Sequence, residues 1–334
     1  MTKDGSAADV AEQHGGIESA PTAVRRWSKF LVFSTFLLLM AGALVTGNKA
    51  ALSDPTWPTF VGHWWPKYFQ GGLIYEDTHR LIAGTVGIFT LLMALLVQFK
   101  DNRGYLKKLA WFAVALVAVQ AGFGALIILL KRIPYNSWIH GVLAQLFFCN
   151  VVALSVYCSR VWTKEYFAEK INRPENASYI KLMKVLAIIL FVQVVLGGGV
   201  RHSNDTPDAR DLFMPFIIAH ISGAFVVILS VIWFNLRTFQ VYGDVKALTR
   251  TALGAAGLVG VQIFLGTFAI FANRARIVAE LPEYHHVIIS TAHLLTGACL
   301  LALIFGMYLR SRNLLAVQPD VQTLPSGNVA EGGV

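Results

Sequence analysis

Long apolar runs separated by short polar segments set the pattern of this chain. Eight runs recur, at about 27–46, 78–98, 109–130, 138–158, 180–200, 213–236, 252–272 and 285–309. Each holds about 20 residues, the length at which a helix crosses a hydrocarbon layer about 30 Å thick. The pattern predicts an all-α polytopic membrane protein of eight transmembrane helices, arranged as two pseudo-symmetric four-helix bundles. Residues 1–26 and 311–334 are polar and expected to be disordered tails. The polar link 159–179 is the expected boundary between an N-terminal half, 27–158, and a C-terminal half, 180–310.

The runs also repeat. Gln120, Gln193 and Gln262 each stand four residues before a glycine, Gly124, Gly197 and Gly266, in the third, fifth and seventh runs. A loop follows each, then a run with a histidine in its first turns: His140 in "WIHGVLAQ", His220 in "IIAHISGAF" and His293 in "STAHLLTGA". His79 in "EDTHRLIAG" supplies the fourth. The unit is therefore a helical hairpin, used four times. The first hairpin lacks the glutamine and matches less well.

Composition agrees with the pattern. The chain has 334 residues, 55% hydrophobic and 14% charged, where a soluble domain carries about 25% charged residues. Mean hydropathy is +0.57. The net charge of +9 would suggest nucleic acid in a soluble chain. Here 19 of the 28 lysines and arginines fall on one side of the expected topology. That bias makes this side cytoplasmic, with both termini in, and removes nucleic acid as a partner. The three cysteines, Cys149, Cys158 and Cys299, lie in apolar runs and form no CxxC, so they indicate neither a disulfide framework nor a zinc site.

A histidine inside a bilayer is costly and usually functional. In a four-helix bundle, residues on facing helices converge. The second and fourth runs would bring His79 to His140, and the sixth and eighth His220 to His293. Two imidazoles across an apolar bundle suit the axial positions of a haem iron, and suit zinc less, since no cysteine or carboxylate cluster stands beside the second pair. Gly124, Gly197, Gly198, Gly199, Gly223, Gly266 and Gly297 could admit a flat macrocycle or serve helix packing. Arg80, Arg201, Arg274 and Arg276 lie at outer helix ends, either as partners of haem propionates or as interfacial anchors. His14, His63, His202, His285 and His286 default to surface roles, with a second metal at His285 and His286 as the alternative for that pair.

Charge gathers at one place, the mouth of the second run, with Glu76, Asp77, His79 and Arg80. Glu76 is three residues before His79 and so near the same helix face. The matching place before His220 is Ile217. One pair therefore has a carboxylate for proton handling and the other does not. The competing role for Glu76 is capping the helix or pairing with Arg80, while Asp77 points elsewhere and favours the helix N-terminus.

"GALVTGNKAALSDPTWP" (42–58), "EDTHRLIAG" (76–84), "WIHGVLAQ" (138–145), "VLGGGVRHS" (195–203), "AHISGA" (219–224) and "VQIFLGTF…AHLLTGA" (261–298) resemble the haem A synthase family. The resemblance implies a haem b cofactor between His220 and His293. It also implies a site for the substrate haem o near His79 and His140. The implied reaction oxidises the C8 methyl of haem o through an alcohol to a formyl group, with water considered as the oxygen source. The candidate catalytic residues are then Glu76, His79 and His140, and the candidate cofactor-binding residues are His220 and His293, with Arg80, Arg201 and Arg274 added from their place at the outer helix ends. The implied setting is the cell inner membrane, with the haem sites towards its outer face. Implied partners are haem o, membrane lipid, the preceding haem o synthase and an electron-transfer partner, with a homo-oligomer left open. Some members carry cysteine pairs in the outer loops of the first and third hairpins, and this chain has none there. Two other readings of the histidines remain: a di-haem b-type cytochrome taking electrons from quinol, and a haem transporter.

Overall fold

A computed structural model describes residues 20–131, 135–160, 171–203, 212–277 and 283–316, the side chains of 273–277 and 283 excepted. It contains eight long helices: α1 (Thr22–Gly47), α2 (Gly72–Lys100), α3 (Gly104–Leu129), α4 (Asn136–Tyr157), α5 (Asn176–His202), α6 (Phe213–Tyr242), α7 (Lys246–Ile277) and α8 (Glu283–Leu314). All eight are long and apolar enough to cross a membrane. The protein is an integral membrane protein of the all-α class. Pro215 is accommodated because it stands in the first turn of α6, where its missing N–H has no helical partner.

The helices close into two rings with the same order of neighbours. α1 packs on α2 and α4, α2 on α3, and α3 on α4; α5 packs on α6 and α8, α6 on α7, and α7 on α8. The rings meet through α1 on α8, α4 on α8 and α4 on α5. Each ring has its own apolar core. Leu31, Met93, Leu106 and Leu154 anchor the first, and Met183, Leu186, Phe234 and Ile304 the second. A smaller cluster with Leu39, Phe148, Val152 and Ala298 lies between them.

These cores are off-centre. Their residues come from the N-terminal halves of odd helices and the C-terminal halves of even ones. Dense packing therefore sits at one end of each ring, and the four histidines sit at the other.

The ordered chain extends further than the polar pattern suggests. α2 begins at Gly72, six residues before the apolar run, so Glu76 and Asp77 lie within the helix instead of at its mouth. Both are buried, and the preceding loop supplies Glu76 with a polar partner in the Asp54 N–H. The expected tails are likewise shorter. Ala20 and Val24 are buried against the first core. Beyond α8, Ile171 N donates to Leu314 O (3.1 Å), Ala316 N to Ile171 O (3.0 Å) and Asn176 Nδ2 to Ala316 O (2.7 Å). The rest of both tails, and residues 161–170 of the link, fall outside the described residues.

Candidate functional site

Each hairpin is built around one close contact. A Cβ on Gly124 would stand 3.5 Å from His140 Cε1, one on Gly197 2.9 Å from His220 Cε1, and one on Gly266 3.0 Å from His293 Cε1. Gly42 stands in the same relation to His79, at 3.2 Å. The first hairpin thus has the glycine, and only the glutamine is missing, with Leu38 in its place. In the other three the glutamine reaches the main-chain carbonyl of the same histidine: Gln120 Nε2 to His140 O (2.8 Å), Gln193 Nε2 to His220 O (2.7 Å) and Gln262 Nε2 to His293 O (2.8 Å). The remaining glycines also serve side chains of the chain itself. Gly223 and Gly297 make room for Gln193 and Gln262, Gly198 for Trp138 and Gly199 for Phe216.

Two of the histidines meet within the second ring. His220 and His293 lie with ring centroids 6.2 Å apart and planes at 85°. A metal–imidazole bond is about 2 Å long, and the nitrogen lies about 1 Å from the ring centre, so two rings on opposite sides of one metal stand about 6 Å apart. Each of the four rings is half-buried, and its Nδ1 is enclosed without a hydrogen-bond partner. With Cε1 against a glycine, the accessible edge is the Nε2 side. His140 is within electrostatic reach of His79 and His202. Among the described residues no three His, Cys, Asp or Glu side chains cluster as a cation site. A haem iron asks for less, since the porphyrin supplies four of its ligands and the protein one or two. The second pair fits that requirement in donor type and in spacing.

Beside the first pair lies a polar knot made by the loop between α1 and α2. Asp54, fully buried, accepts from Thr56 N (2.9 Å), Thr56 Oγ1 (2.6 Å), Val61 N (3.0 Å) and Arg80 Nη1 (2.8 Å). Burial raises its pKa, but the bonds from Thr56 and Val61 and the charge of Arg80 outweigh this and hold the carboxyl below its ordinary value of 3.8. Arg80 Nη2 donates to Thr56 O (2.9 Å) and Thr59 O (2.6 Å), and its guanidinium lies over the Phe60 ring (4.9 Å).

Glu76 joins the knot by accepting the Asp54 N–H through Oε2 (2.9 Å). The ion pairs recorded for Arg80 are with Asp54 (2.8 Å) and, more distantly, Asp77 (3.9 Å), not with Glu76. Asp77 differs from the sequence expectation: it is buried against Arg80, with neither carboxylate oxygen hydrogen-bonded. Asp54 itself was not singled out from the sequence, because its donors come from scattered positions that only the folded loop brings together.

Arg80, an expected propionate partner, thus has both Nη atoms committed to the loop. Arg201, the second, crosses between the rings and donates from Nη2 to Ala43 O in α1 (2.6 Å). The side chains of Arg274 and Arg276 lie outside the described residues. Trp138, ahead of His140, also bridges the rings. Its Nε1 donates to Val195 O (2.9 Å), and its ring meets Phe216 edge-on at 5.0 Å. His285 stacks on Tyr284 at 4.1 Å, while His14 is outside the described residues.

Fold and site together define a class: an all-α integral membrane protein of repeated hairpins, each presenting a histidine at the same end. Comparison with known proteins narrows it. A family model described as "Cytochrome oxidase assembly protein" matches residues 68–215. The chain is 28% identical over 148 residues to a protein named heme A synthase from Brucella anthropi, covering 41% of this chain and 40% of that one. It is 24% identical over 288 residues to the heme A synthase of Shouchella clausii (80% and 92%) and 22% over 271 residues to that of Listeria welshimeri (73% and 85%). The chain is thus similar to proteins named heme A synthase, over most of its length in two of the three comparisons.

Proposed function

We propose that the protein is a haem A synthase, an oxidoreductase that converts the C8 methyl of haem o to a formyl group through a hydroxymethyl intermediate, for use in cytochrome oxidase. The observation that carries this reading is the His220–His293 pair, 6.2 Å apart at the loosely packed end of the second ring. His220 and His293 would hold haem b, and His79 and His140 would hold the haem o substrate. Bound haem b would supply one-electron redox chemistry beside the substrate.

The residues of the chain do the rest. Gly197 and Gly266 let the two imidazoles seat against their neighbouring helices. Oxidising a methyl group releases protons as well as electrons, so the substrate site needs a proton acceptor. Glu76 is the carboxylate assigned to that task at the methyl or the hydrated aldehyde. Its bond from Asp54 N–H orients it, and the loop knot shields it from bulk water. The excess of lysine and arginine at the opposite helix ends supports a cell-membrane topology with both termini cytoplasmic and the histidines towards the outer face.

Mass analysis of porphyrins extracted from the wild type and His220→Ala tests the division of labour. The variant should lose haem b and keep substrate haem. Retention of haem b in the variant, or no hydroxylated or formyl haem in the wild type, would overturn the reading in favour of another haem protein. Glu76→Gln should bind haem o and fail to convert it; conversion at the wild-type rate would remove the carboxylate from the mechanism.

A further inference from the structure

Three of the four histidines are fastened by a glutamine against the histidine's own carbonyl, and two of these, His220 and His293, are also seated tightly against a glycine. The three glutamine bonds are nearly identical, at 2.7–2.8 Å. A carbonyl in the middle of a helix already accepts one hydrogen bond from the helix. The glutamine uses its second lone pair, so its effect is to pin the histidine's backbone to the neighbouring helix. Gly223 and Gly297 clear the space the amide occupies. His79 has no such bond. Leu38, partly buried against the first core, stands where the glutamine would be. Its helix is held instead from outside, by Glu76 and Arg80 gripping the loop at Asp54, Thr56 and Thr59.

We propose that Gln120, Gln193 and Gln262 are positioning residues that lock His140, His220 and His293, and that His79 is the one ligand able to let go, with its release governed by the 48–71 loop. The inference rests on the reading that these histidines hold haem. It supplies what that reading needs: two haems of nearly the same chemistry share one protein, and one must stay while the other enters and leaves. A doubly locked pair, His220 and His293, suits the resident group. A pair with one locked and one loop-held ligand suits the traffic.

The test is haem loss from the purified, haem-loaded protein to an excess of apomyoglobin, followed by the Soret band, with the low-spin EPR signal as a second readout of ligand geometry. Leucine at the glutamine position is tolerated in the first hairpin of this chain, so Gln193→Leu and Gln262→Leu are conservative probes. Each should speed loss from the second site roughly fivefold, the equilibrium worth of one net hydrogen bond, and shift its EPR signal. Leu38→Gln should slow loss from the first site by a similar factor. Unchanged rates and spectra in the glutamine variants, or no slowing in Leu38→Gln, would overturn the inference while leaving the haem reading intact. Haem retained at full occupancy by His220→Ala would overturn both.

Discussion

Asp54 shows how much of the site is decided by one residue outside the helices. Its carboxylate takes four donors while fully enclosed, so removing its charge strands Arg80 in a buried place. Breaking such a pair from one side costs about 3–5 kcal/mol. Asp54→Asn should therefore loosen the loop, with faster backbone hydrogen exchange over residues 54–61 and no change in the cores. Acid should do the same. The folded carboxyl titrates below its ordinary 3.8, so its stabilisation is complete above that value and is lost only as pH falls further, through the lowered pKa. Fluorescence of the exposed Trp64 and Trp65 on this loop should report a transition below pH 3.8, and Asp54→Asn should abolish that acid transition. The gathering of charge in "EDTHR" was legible in the sequence. Its targets were not, because they lie more than twenty residues away in a loop with no periodicity.

At the scale of the element, the hairpin was largely legible: a glutamine, a glycine four residues later, then a histidine after the loop. The pattern hid Gly42, because Leu38 removes the glutamine that would have drawn attention to it. It also left open whether the glycines make room for a macrocycle or for packing, and in the structure they lie against imidazoles, amides and rings of the chain itself. The four glycines predict a graded response to alanine. The added methyl comes within 2.9 Å of His220 at Gly197, 3.0 Å of His293 at Gly266, 3.2 Å of His79 at Gly42 and 3.5 Å of His140 at Gly124. Gly197→Ala and Gly266→Ala should displace their rings and lower haem content, read from the Soret absorbance at unchanged helical circular dichroism. Gly124→Ala should be close to neutral, since 3.5 Å is ordinary van der Waals contact.

The whole molecule was legible in number of helices but not in their neighbours. Surfaces facing lipid and surfaces facing another helix are both apolar, so hydropathy does not separate them. The contacts that join the rings are specific instead: Trp138 on Val195 and Phe216, and Arg201 on Ala43. Trp138→Ala removes a ring seated against Gly198 and should cost about 3–5 kcal/mol. A thermal melt in detergent should show a lower midpoint, with the two rings unfolding in separate steps. The shared end of the four histidines carries a consequence for energetics. They fall within about 15 Å of their helix starts at about 1.5 Å per residue. On the proposed function, a charge created so near the helix starts would cross only part of the transmembrane field, so turnover should draw little on membrane voltage and run as readily in a de-energised vesicle as in a respiring cell.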